Sequence, residues 1–136
     1  AHYGDVSALL SHGRGTTMGD GWETRRRREP GNDWIIIKLA TKGLIKKIEI
    51  DTAHFKGNYP DQASVQVSNF DKNKVLEEVI NDSHNWKYIL DKSKLQADNI
   101  HNYEVNDMSI KDVTHVRLNI YPDGGVSRLR IFGLKL

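Results

Sequence analysis

Cysteine is absent from the chain, which removes disulfides, thiolate metal sites and a cysteine nucleophile together. No apolar run approaches the roughly 18 residues that a membrane-spanning helix needs, and no signal-peptide apolar stretch opens the sequence. An excess of one charge is missing too. Twenty Lys and Arg against eighteen Asp and Glu leave a formal +2, which points to neither nucleic acid nor a membrane surface as partner. Heptads, low-complexity tracts and internal repeats are all lacking. So are a G-x-x-x-x-G-K-[ST] phosphate loop and a G-x-S-x-G nucleophile elbow. The six histidines (His2, His12, His54, His84, His101 and His115) form no H-x-x-x-H or H-E-x-x-H pair, so no metal site is predicted.

What is present reads as one folded unit over residues 1–136. Hydrophobic residues at 38% and charged residues at 28% suit a globular chain, and a chain of this length can bury a core without staples. The first residue is Ala rather than Met, as expected of a processed or excised piece. Short alternating segments dominate. Trp34 to Leu39 is an apolar, β-branched run after Pro30, Gly31 and Asn32, and predicts a buried strand. Ile45 to Asp51, Ser64 to Ser68 and His115 to Tyr121 alternate apolar and polar residues. Trp86 to Leu90 and Asn102 to Val105 are weaker strands. Ser127 to Phe132 repeats the alternation after Pro122-Asp123-Gly124-Gly125, so these last two strands are expected to pair as a hairpin. Ser7 to Leu10 reads as a short helical turn, and Asn73 to Asn81 as two helical turns or a strand with a loop. The fold class predicted is all-β, an antiparallel β-sandwich.

Three clusters carry chemistry. In Gly19 to Arg28, Asp20-Gly21 suggests a turn after which Trp22 buries, with Glu23 between it and four arginines. Those arginines are either a solvated loop or donors that grip a carboxylate. In Asp51 to Asn58, Asp51 at a strand end stands three residues before His54 and either orients its imidazole for proton transfer or caps the turn. Gly57-Asn58 suggests a turn of positive φ. In the expected hairpin, Arg117, Arg128 and Arg130 share one outward face. Neighbours there stand about 5 Å apart, which calls for acidic partners such as Glu23 or Glu49, or an anionic ligand.

The stretches GRGTTMGDGWETRRRREPGNDW (Gly13 to Trp34), IEIDTAHFKGNYP (Ile48 to Pro60) and THVRLNIYPDGGVSRLRIFG (Thr114 to Gly133) together resemble the allantoicase repeat. The likeness fades over Asp71 to Met108. It implies a jelly-roll sandwich of galactose-binding-domain type. It also implies hydrolysis of allantoate to ureidoglycolate and urea in purine breakdown. Members of the family typically carry two repeats. This chain resembles one, closer to the second, so a second repeat or self-association is expected. No cofactor is implied, and a cytoplasmic or peroxisomal setting is expected. Allantoate carries one carboxylate and two ureido groups on a single carbon. A site for it needs guanidinium groups, hydrogen-bond acceptors and an acid/base pair. On the matched positions we assign His54, backed by Asp51, to proton handling, with Glu23 as the alternate base. Arg128 or Arg130, helped by Arg25 or Arg26, is assigned to the carboxylate, and Asn58 and Asp20 to the ureido groups. Lys56 and Asp123 complete the set. The competing reading is a non-catalytic ligand-binding or assembly module, because fold alone does not specify function. A carbohydrate module would want aromatics on one face, and Trp22, Trp34 and Trp86 are dispersed.

Overall fold

The computed structural model describes residues 2–3, 9–10, 13–15, 17–18, 21–70, 75–107 and 109–135. In chain order its strands are β1 (His2–Tyr3), β2 (Trp22–Thr24), β3 (Asp33–Asp51) and β4 (Gln62–Ser68). The helix α1 (Leu76–Asp82) and a 3-10 turn (Ser83–Asn85) follow. Then come β5 (Lys87–Lys94), β6 (Ile100–Glu104), β7 (Val113–Tyr121), β8 (Gly125–Val126) and β9 (Arg128–Lys135). All pairings among the described residues are antiparallel.

The organising element is β3. Its 19 residues join the two strands expected at 34–39 and 45–51. It changes partners along its length within the six-stranded sheet, apart from which β1, β2 and β8 form a three-stranded one. Asp33 to Lys38 pair with β7, and the order continues through β4 to β5. The register breaks between Lys38 and Gly43. Beyond the break, Gly43 to Asp51 pair with β9, and Lys47 to Asp51 also with β6 on the other side. A strand that bends at an irregularity and changes partners makes the corner of a sandwich. One core results. Ile48 and Ile50 of β3, Val65 and Val67 of β4, Val116, Leu118 and Ile120 of β7 and Leu129 of β9 all lie within it. Trp22 and Val126 close one end, where β2 and β8 pair.

Three expectations need correction. The last two long strands do not form a hairpin: β7 pairs with β3 and β4, whereas β9 pairs with the other half of β3. Each of these strands has an apolar face, and pairing with different halves of β3 lets the two faces meet in one core. The Pro122–Gly125 link is therefore a crossing, not a tight turn. It follows that Arg117 does not stand beside Arg128 and Arg130. It lies in a buried polar seam, donating to Asn119 Oδ1 at 2.8 Å and to Ser83 Oγ at 2.6 Å, with Trp34 stacked 4.3 Å over the guanidinium. Lastly, Trp34 to Leu39 is not a fully buried strand. Among the described residues it has β7 on one side only, and Trp34 stays 40% exposed.

The segment expected as two helical turns or a strand is helical over α1, which buries only Val79. Asn73 and Lys74 of that expectation lie outside the described residues, as do Ser7 and Ala8 of the helical turn expected near the start.

Candidate functional site

The polar side chains converge where the C-terminal end of β3 meets the N-terminal end of β9. Asp51 stands opposite Arg128 and Glu49 opposite Arg130. Period-two alternation sets all four on the face away from Ile48, Ile50 and Leu129. Asp51 is buried at 1% exposure. Its carboxylate accepts two bonds from Arg14, Nε to Oδ2 and Nη2 to Oδ1, each 3.0 Å. A third comes from the Ala53 N–H at 2.9 Å. The two-pronged grip is the strongest form of carboxylate–guanidinium contact, and it raises the Arg14 pKa above its ordinary value.

Arg14 belongs to a short loop, Gly13-Arg14-Gly15, whose backbone is used as heavily as its side chain. The Gly13 carbonyl accepts Arg128 Nε at 3.0 Å and Arg130 Nη2 at 2.9 Å. Arg128 also donates from Nη1 to the Ser127 carbonyl at 2.8 Å. The Gly15 carbonyl stands 2.6 Å from His54 Nε2. A carbonyl only accepts, so Nε2 carries a proton, and in the neutral ring Nδ1 keeps the lone pair. One three-residue loop thus touches both arginines, the histidine and the aspartate.

His54 sits in the left-handed region at φ 73°, a conformation that costs a non-glycine residue energy and recurs at functional sites. The positive φ expected at Gly57-Asn58 falls here instead. The turn is held by the His54 N–H donating to Asp98 Oδ1 at 2.8 Å. That bond, followed by the nearby charge of Lys56 and Arg14, holds the Asp98 carboxyl below its ordinary pKa. Behind His54, Phe55 is fully buried.

A second group adjoins the first. Asn58 Nδ2 donates to Glu23 Oε2 at 2.6 Å, and the Asn58 carbonyl accepts the Gly125 N–H at 2.8 Å. Asp123 Oδ2 accepts the Arg27 N–H at 2.7 Å and so ties down the loop after β2. Arg25 and Arg26 are exposed on that loop, as is Lys56 on the loop that follows β3. Asp20 lies outside the described residues.

Most of the residues expected at the site therefore share one rim, but one pairing fails. Asp51 does not back His54, because its oxygens are taken by Arg14 and Ala53. Its capping role, the plainer reading, is the one observed. Arg14 is the residue that sequence reasoning missed. The available signal was an arginine between two glycines, in a stretch that itself resembles the allantoicase repeat. Among the described residues no three His, Asp or Glu side chains gather as a metal site would require.

The fold is an antiparallel β-sandwich with charged side chains gathered on one rim. Among solved structures, the chain superposes on CpGH89CBM32-6 produced by Clostridium perfringens with TM-score 0.61 over 98% of this chain and 91% of that one. Sequence identity is 16%, a likeness of fold alone. Closer matches are specific. The crystal structure of allantoicase from Saccharomyces cerevisiae superposes with TM-score 0.82 at 42% identity, over 98% of this chain and 37% of that one. A probable allantoicase of Rhizobium meliloti is 55% identical, and probable allantoicase 1 of Burkholderia mallei is 54% identical. Each match covers 97% of this chain and 39% of the relative. The allantoicase repeat profile matches residues 1–136. The chain belongs to the allantoicase repeat family. It spans about 39% of the length of the curated relatives it matches.

Proposed function

We propose that this chain is the site-bearing unit of an allantoicase-type hydrolase, which converts allantoate and water to ureidoglycolate and urea. The observation that carries the reading is the gathering of His54, Arg14, Arg128 and Arg130 on the single Gly13–Gly15 loop. Cations there suit a carboxylate, and an imidazole whose Nδ1 keeps its lone pair suits proton transfer.

In this mechanism Arg130, half-buried, takes the substrate carboxylate. Arg128, buried at 2% exposure, supports it, and Arg25 or Arg26 supplies further positive charge. Asn58 and Glu23, already hydrogen-bonded to each other, face one ureido group, and Asp20 serves the other. The C–N bond to one ureido group breaks and the electron pair leaves with the nitrogen. That nitrogen takes up the proton that the second ureido N–H gives up as its lone pair closes the C=N bond, relayed through His54 Nδ1 or Glu23. Urea departs and an imine-like carbon remains, stabilised by the second ureido nitrogen. Water adds to that carbon and gives up a proton to His54 Nδ1 or to Glu23. A well-placed acid or base contributes roughly 10²- to 10⁴-fold. The partner in this reading is a second allantoicase-type unit, because more than half of each matched relative lies outside the match.

Urea release from allantoate tests the reading. Wild-type protein is expected to turn over, and His54→Ala and Glu23→Gln are expected to lose at least roughly tenfold in kcat/KM. Near wild-type rates in both variants reject the proton handling. A thermal shift with allantoate but no urea, alone and with the remainder of a longer relative, favours a binding module instead.

A further inference from the structure

We propose that the Gly13-Arg14-Gly15 loop is a positioning device, in which the grip of Arg14 on buried Asp51 sets the two flanking carbonyls that orient His54 and the arginine pair. The proposal deepens the hydrolase reading and rests on it for its kinetic arm alone.

Gly15 is buried, whereas Gly13 and Arg14 are exposed. A side chain at Gly13 would meet nothing within 4 Å among the described residues, and Gly13 adopts φ +71°. Arg14 is itself half-exposed, its side chain 55% accessible against 2% for Asp51. The buried carboxylate is therefore the anchor on which the more exposed arginine docks. Asp51 in turn is fixed from three sides. It stands in β3, its carbonyl accepts the Ser127 N–H at 2.7 Å, and its Oδ1 accepts the Ala53 N–H. Closing the Arg14 grip brings the Gly13 carbonyl onto Arg128 and Arg130 and the Gly15 carbonyl onto His54 Nε2.

The chemical consequence is a defined tautomer. With Nε2–H committed to Gly15, Nδ1 is the nitrogen that exchanges protons. Asp51 thus acts on His54 at second hand, through Arg14 and the loop backbone. Arg14 is a positioning residue, and its removal is expected to misplace catalytic groups without removing any.

Long-range nitrogen–proton NMR of the histidine rings reads the tautomer directly, whether or not the protein turns over. Wild type is expected to show His54 protonated at Nε2. Arg14→Ala is expected to show His54 averaged between tautomers, with kcat/KM for allantoate lower by roughly 10- to 100-fold, as small misplacements in a site produce. Added guanidinium ion is expected to restore part of both signals. Asp51→Asn keeps the size and the acceptor for Ala53 while weakening the ion pair. It is expected to give the same tautomer averaging, and the double variant is expected to be no worse than either single one. If Arg14→Ala does not fold, Asp51→Asn carries the test. An unchanged His54 tautomer in the folded variants overturns the proposal at any level of activity, including the case where only KM rises because Arg14 touches substrate. An Nε2–H tautomer in wild type that is lost in the variants, with no urea release from wild type, supports the positioning and rejects the hydrolase reading.

Discussion

A Cβ added to Gly125 would overlap the Phe55 ring, touching Cδ1, Cε1 and Cζ. Phe55 has no exposed surface to retreat to, and it follows His54, so the residue that fills the core under the site also sets the height of the imidazole. Gly125→Ala is expected to destabilise the fold by about 1–3 kcal/mol, the usual cost of overpacking a core. It is also expected to weaken any activity that depends on His54. Urea unfolding monitored by tryptophan fluorescence checks the first effect, and an unchanged midpoint refutes it. From the sequence Gly125 reads as a turn glycine. Its reason, a ring contributed from far earlier in the chain, lies in no local pattern. Arg14 and Asp51 teach the same lesson in reverse. Asp51 was legible as a charged residue at a strand end, but its partnership with Arg14 spans 37 positions, and the nearer neighbour His54 was the natural and mistaken choice.

Element by element, alternation located the strands well because one face of each is buried and the other is polar. It did not say which strand pairs with which. Both β7 and β9 satisfy the hairpin pattern, and only packing against a shared β3 separates them. The start of β7 offers a prediction. His115 lies opposite Lys38 of β3 and Ser68 of β4. Its Nδ1 is 2.8 Å from the Thr114 hydroxyl, and its ring packs edge-on to Phe70 and Trp86. Burial, and then the Lys38 charge, push its pKa below the ordinary value. The unfolded chain then binds the proton more readily than the folded one. Stability is complete above the unfolded histidine value of about 6.5 and falls as pH drops through the lower folded value. His115→Gln is expected to flatten that dependence. Unfolding midpoints measured across this range check it, and equal slopes in wild type and variant would sink the assignment.

At the scale of the molecule, the site exists because distant segments are brought to one rim. The loop at 13–15, the segment 51–58 and the start of β9 meet there, and β3 joins to strands at the far end of the chain. Such non-local pairing is slow to form, because loop closure precedes the contacts that stabilise it. Refolding followed by stopped-flow fluorescence of Trp22 and Trp86 is expected to take on the order of milliseconds to seconds. A dominant microsecond phase would contradict this topology as the rate-limiting feature.

Strand positions, the all-β class and the three site-bearing stretches were determined by the sequence itself. Periodicity and turn chemistry act within a few residues, and the family likeness is carried by contiguous motifs. The corner in β3, the separation of Arg117 from Arg128 and Arg130, and the capture of Asp51 by Arg14 were decided only by the tertiary structure. Each depends on which apolar faces meet across the core, and that closure alone determines which charges become neighbours.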